Sequence, residues 1–202
     1  MLYDRGSQWL YVVSGDPALP TITYGKGYVA VHGDATQVYN SAYEGSTDVT
    51  HATRSAVWLE PDAVVIYDHA QTTQPGFKRF WLNLTAPASI SGNRTSVITP
   101  KGQQFWIYTL LPTDAVRSVT PVADEPSGPP ANGDLVRFRF RAEAANNPTD
   151  AYFLHVLIGA DSGAQPPPVE LISSDPSAPS VRIGNQTVHF SGDMIQVTNQ
   201  PN

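Results

Sequence analysis

RSAVWLEPDAVVIYDHA, from Arg54 to Ala70, is the stretch that decides the fold. It reads as two strands on either side of Pro61, because Val, Ile and aromatic side chains suit a pleated surface and Pro interrupts it. The same texture extends both ways along the chain. Upstream lie QWLYVV (8–13) and GYVAVHG (27–33), and downstream FKRFWLNL (77–84), QQFWIYTLL (103–111), LVRFRFRAE (135–143) and AYFLHVLIG (151–159). Shorter runs, TSVITP, RSVTPV, VELI, VRIG, TVHF and MIQV, complete the pattern. The separators, GDPALP, TQPG, SGNRT, EPSGPPANGD and DSGAQPPP among them, are turn chemistry. No window of eleven residues or more carries a helical stripe. The expectation is an all-β, antiparallel sandwich of about 12–14 short strands with little or no helix.

Composition agrees with that reading. Among 202 residues, Gly 15 and Pro 18 make up about one in six, both poor helix formers, while 41% are hydrophobic and only 15% charged. Trp 4, Tyr 9 and Phe 7 supply the apolar area that a disordered chain lacks. The length suits one domain over 1–202, with a long Pro/Gly loop at 124–134 and a shorter carboxy-terminal strand set at 169–197. No run approaches the roughly 18 apolar residues of a membrane span, and MLYDRGSQWLYVV lacks the build of a signal peptide, so no membrane partner is expected. The abrupt, strand-like start is that of a segment cut from a longer protein. A net charge of −6 disfavours nucleic acid as a partner but leaves room for a local basic patch. With Cys 0, disulfides, thiolate metal sites and thiol nucleophiles are excluded.

Two strands supply that patch. In extended backbone Phe138, Phe140 and Ala142 share one face and Arg137, Arg139 and Arg141 the other, the guanidinium groups about 7 Å apart. Such a row can take successive carboxylates or sulfates of an anionic polymer, each in a bidentate fork, or it can be a solvated face cross-paired with Asp and Glu. FKRFWLNL likewise turns Phe80, Leu82 and Leu84 inwards and leaves Arg79, Trp81 and Asn83 outwards. An aromatic ring between cationic and amide side chains suits a sugar, whose C–H face packs on the ring while its hydroxyls and charges meet the neighbours. Gln104, Trp106 and Tyr108 repeat the arrangement, unless a second sheet covers them.

The five histidines show no local metal spacing. His155, between strongly apolar neighbours, reads as a hydrogen-bonded core residue. His32 is the better functional candidate because the Gly-Asp turn after it is where sites gather, and a structural zinc or calcium ion held by His32 and Asp48 is an expectation of the same kind. No Gly-x-Ser-x-Gly elbow, phosphate loop or dinucleotide fingerprint is present, and the scattered carboxylates single out no pair for glycosidase chemistry.

RSAVWLEPDAVVIYDHAQTTQPGFKRFWLNLTAP (54–87), followed by GQQFWIYTLLP (102–112) and YFLHVLIGA (152–160), resembles the β-sandwich domain of the heparinase II/III-like polysaccharide lyases. VAVHGDATQVYN (29–40) is similar to the strand and Gly-Asp turn that precede this block in the family, and the likeness spans about residues 2 to 160. It implies association with anionic, uronic-acid polysaccharide, which those enzymes cleave by β-elimination, and a secreted or periplasmic location. Most of their cleft comes from a helical toroid domain, with the sandwich forming one wall. The chain alone is therefore expected to be an incomplete lyase that requires no cofactor and has a helical toroid domain as its partner. Carried over by position, His32 becomes a cleft-facing or metal-ligating residue, while Asn83 stands where the family often has His. A minimal lyase using His32 with Tyr39 or Tyr43 as base and acid is the alternative, and a purely structural module is a third.

Overall fold

The computed structural model describes residues 15–41, 43, 45–122 and 137–199. The QWLYVV run and the 124–134 loop lie outside them. The described residues form fifteen strands. In chain order these are β1 (Thr21–Gly25), β2 (Tyr28–Asp34), β3 (Val49–Leu59), β4 (Ala63–Thr72), β5 (Arg79–Leu84), β6 (Ala88–Ser91), β7 (Arg94–Ile98) and β8 (Gln104–Leu111). There follow β9 (Val116–Pro121), β10 (Phe138–Glu143), β11 (Asp150–Ala160), β12 (Val169–Ser173), β13 (Ser180–Ile183), β14 (Gln186–Ser191) and β15 (Met194–Asn199). Among the described residues the helical content is one 3-10 turn, Thr36–Tyr39. The all-β reading holds, with one strand more than the expected range.

Every pairing within the sheets is antiparallel. The largest sheet has eight strands in the order β1-β2-β3-β4-β11-β8-β7-β6, flanked by a three-stranded sheet, β5-β10-β9, and a four-stranded one, β12-β13-β14-β15. The result is three layers. On one face of the large sheet Val57, Leu59, Val65, Trp106, Tyr108, Leu154 and Val156 pack with Val181, Ile183, Val188 and Phe190 of the four-stranded sheet. On the other, Val97, Ile107 and Phe153 meet Phe80, Leu84, Phe140 and Ala142 of the three-stranded sheet. Each fully buried Phe contributes roughly 2–3 kcal/mol of transfer free energy.

Burial on both faces explains the texture of two central strands. β8 is buried at every position from Trp106 to Leu111, and β11 is buried through most of its length, so both read as unbroken apolar runs. Trp106 and Tyr108 are therefore core residues, not a sugar-contacting row, because the four-stranded sheet lies over them.

The flanking three-stranded sheet covers only part of its face. Cross-strand pairing sets Ile22 beside Val31 and Ala56, and Tyr24 beside Val29, Trp58 and Val64, across β1 to β4 on that same side. Ile22, Tyr24 and Trp58 are exposed there. At the far end the hairpin turns through Gly27, whose φ of 75° suits a residue without Cβ.

Candidate functional site

The three-stranded sheet positions the expected basic and aromatic side chains. Alternation along β5 and β10 sends Phe80, Leu84, Phe140 and Ala142 inwards, and register then pairs Asn83 with Arg139, Trp81 with Arg141 and Arg79 with Glu143 on the outer face. The Arg139 Nε donates to Asn83 Oδ1 at 3.3 Å, and its guanidinium carbon lies 5.5 Å from the centre of the Trp81 ring. Trp81 is 45% exposed. The Arg79 Nε donates to Glu143 Oε2 at 2.6 Å while its guanidinium stacks 4.0 Å over Phe77, and Arg141 Nη1 stands 3.4 Å from the same carboxylate oxygen. Arg137 precedes β10, exposed, with its backbone bonded to Leu84 and Val122. The row is thus divided. Arg79 and Arg141 share one carboxylate, whereas Arg137 and Arg139 face solvent without a carboxylate among the described residues.

Beside this face opens a cleft of about 600 Å³, between the 3-10 turn, the ends of β3 and β4, and the β4–β5 connection. Arg79 and Trp81 belong to its wall as well as to the outer row. At its centre Arg54 and Asp68 pair directly across β3 and β4 and form a bidentate ion pair, Nε to Oδ1 and Nη2 to Oδ2, both 2.7 Å. Burial pushes the Asp68 carboxyl up, and the two hydrogen bonds from Arg54 work against that. Donating those bonds to the Asp68 carboxylate in turn raises Arg54, whose side chain is 57% exposed and lies over the Phe80 ring at 5.5 Å. Lys78 is buried and its ammonium is used up, donating to Thr72 Oγ1, the Gly76 carbonyl and the Pro148 carbonyl. Burial lowers it. Asp34, also in the wall, accepts the Thr36 N–H at 2.8 Å. Burial pushes its carboxyl up, but the Thr36 hydrogen bonds and the neighbouring His51 and His32 hold it below the usual range.

Of the proposed acid and base, Tyr39 lines this cleft while His32 and Tyr43 do not. His32 pairs with Ser55, so it stands on the opposite sheet face from the adjacent Arg54, and its Nδ1 lies 2.9 Å from Ser55 Oγ. Tyr43 is 83% exposed in the loop before β3. A metal shared by His32 and Asp48 does not fit. Asp48, immediately before β3, lies seven residues from Ser55, roughly 20 Å of extended chain. Among the described residues no three His, Cys, Asp or Glu side chains gather as a metal site.

His155 corrects a further expectation. It is fully buried, stacked 4.0 Å from Phe80, but neither ring nitrogen has a hydrogen-bond partner among the described residues. Burial, with the charges of Arg54 and Arg117, lowers it to about 3, against a weaker opposing influence from the nearby Tyr108 backbone, which lies outside hydrogen-bond geometry. Sequence reasoning missed the Arg54–Asp68 pair as a site feature, although a hairpin centred on Pro61 puts those two residues, equidistant from it, opposite each other.

Fold and surface together define a three-layered antiparallel β-sandwich with a basic, aromatic outer face and a cleft at its margin. No family model matches the sequence, and no curated protein matches it. Solved structures share the fold. The heparan sulfate lyase HepC from Pedobacter heparinus superposes with a TM-score of 0.58 at 14% identity, covering 92% of this chain and 28% of its own. A mutant of it gives 0.59 at 13% with the same coverage, and a heparinase III gives 0.57 at 10%, covering 91% of this chain and 27% of its own. The chain therefore has the architecture of the carboxy-terminal part of those structures, and spans little more than a quarter of their length.

Proposed function

We propose that this sandwich binds anionic, uronic-acid polysaccharide and supports its processing, with Arg137, Arg139, Trp81 and Asn83 as the contact row and Arg79 and Arg141 flanking it. One observation carries the reading: an exposed indole beneath a guanidinium, next to an amide, in a protein of net charge −6. The ring offers a flat apolar face to a sugar, and Arg137 and Arg139 offer forks to its acidic groups. The binding needs no cofactor, and an extracytoplasmic glycan is its ligand in place of nucleic acid or membrane. Likeness in fold to a heparan sulfate lyase and a heparinase III favours this ligand class without supplying the chemistry. A minimal lyase built on His32 and Tyr39 draws no support from their placement on separate surfaces.

A second reading rests on the apolar face of Ile22, Tyr24 and Trp58. A sheet face of this kind is what a neighbouring domain covers, and a helical toroid domain is the proposed occupant. The two readings are compatible, since the surfaces differ.

Affinity electrophoresis through gels carrying alginate, hyaluronan or heparin tests the binding. Retardation that weakens with added salt and is lost in Arg139→Ala supports it. Unretarded migration in all three gels overturns it. Ultraviolet absorbance of unsaturated products, followed on the same glycans, tests elimination by the isolated chain.

A further inference from the structure

The cleft beside the contact row has features that glycan binding on the sheet face does not use. Its wall carries three cations, Arg54, Lys78 and Arg79, against two carboxylates, Asp34 and Asp68. Those carboxylates are engaged, Asp68 by both oxygens with Arg54 and Asp34 by Oδ1 with the Thr36 N–H. Lys78 is spent on three oxygens and Arg79 donates through Nε to Glu143. Arg54 is different. A guanidinium has five N–H donors, and the ion pair with Asp68 uses one on Nε and one on Nη2. The remaining edge belongs to a side chain that is 57% exposed, fixed from behind by Asp68 and seated over Phe80. A planar fork already held in place loses little freedom when it meets a second planar oxyanion. Phe77 and Trp81 add aromatic walls of the sort that sugar rings pack on.

We infer that this cleft is a distinct saccharide subsite in which the outward edge of Arg54 takes a sugar carboxylate, while the ring of the same sugar lies against Trp81 or Phe77. Trp81 and Arg79 belong both to the cleft and to the outer row, so the subsite continues the path of a chain lying along β5. Asp68 then has a positioning role. It aims the guanidinium and does not touch the ligand. The inference takes the identity of the ligand from the glycan reading above, but its location and anchor stand on the ion pair and the cleft.

The test is titration calorimetry with a tetrasaccharide of alternating glucuronate and N-acetylglucosamine, and with its carboxyl-reduced, neutral counterpart. Arg54→Lys keeps a cation opposite Asp68 but removes the fork. It is expected to weaken the acidic tetrasaccharide at least about tenfold and to leave the neutral one unchanged. Equal affinity of wild type and Arg54→Lys for the acidic sugar, or equal affinity of the wild type for both sugars, overturns the inference. If Arg54→Lys does not fold, the Nη–H resonances of Arg54 in the wild type decide: those of the edge turned away from Asp68 shift on titration if the fork is engaged and stay in place if it is not. Arg139→Ala separates the two ideas. Loss of binding in that variant with Arg54→Lys unaffected leaves the sheet-face reading standing and ends this one, and the converse result does the opposite.

Discussion

His155→Leu is the perturbation with the clearest arithmetic. In the fold the imidazole is enclosed by Phe80, Phe140 and Phe153, and its value is lowered to about 3 from an ordinary 6.5. Between those values the unfolded chain binds a proton at this position and the folded chain does not, so falling pH favours unfolding. Stability linked to His155 is complete above about pH 6.5 and drains away as the pH drops towards 3. Each unit corresponds to about 1.4 kcal/mol, which gives a loss of about 2 kcal/mol between pH 7 and pH 5. Leucine removes the titration and also the two unpartnered ring nitrogens, so the variant is expected to match or exceed wild-type stability at pH 7. Urea unfolding followed by tryptophan fluorescence at the two pH values measures both. Carboxylates such as Asp34 and Asp68 titrate in both proteins and cancel in the difference. The variant should gain about 2 kcal/mol on the wild type between pH 7 and pH 5. Parallel pH dependences would refute the burial argument.

Other outcomes follow from the same packing. Trp106→Ala should cost about 3–5 kcal/mol because it opens a cavity between two sheets, whereas Trp81→Ala should cost under about 1 kcal/mol and act on glycan binding instead. Thermal melts of the pair show the contrast. Lys78→Met, which strips three oxygens of their shared ammonium, should destabilise by about 3 kcal/mol in urea titrations. Trp58→Ser, on the exposed apolar face, should leave stability within about 1 kcal/mol and abolish any capture of a separately produced helical toroid domain in a size-exclusion assay.

How much of this was legible in the sequence varied with the number of covered faces. β5 and β10 bury one face each, so alternation alone placed Phe80 and Phe140 inside and Trp81, Arg139 and Arg141 outside. β8 is covered on both, which erases alternation, and a row of Gln104, Trp106 and Tyr108 then looked the same whether it met solvent or a sheet. The pairing of His32 with Asp48 as metal ligands, and with Tyr39 or Tyr43 as base and acid, draws no support from the register for a related reason. Nearness along the chain says nothing about which face a strand residue takes or how far along the next strand its neighbour lies. Cross-strand partners within a hairpin are legible, as Arg54 and Asp68 are about Pro61. Partners distant in sequence, such as the four-stranded sheet over Trp106, depend on sheet order, which periodicity does not encode.

The most direct test of the glycan face follows the tryptophan indole N–H resonances of the wild-type protein while a glucuronate-containing oligosaccharide is added. Trp81 is exposed in the contact row, Trp58 is exposed on the apolar face and Trp106 is buried, so the three report on different surfaces of the molecule. Glycan binding on the outer face gives a saturating shift of the Trp81 signal with Trp58 and Trp106 unmoved. A shift of Trp58 with Trp81 unmoved, or no shift of any indole at saturating sugar, would contradict it.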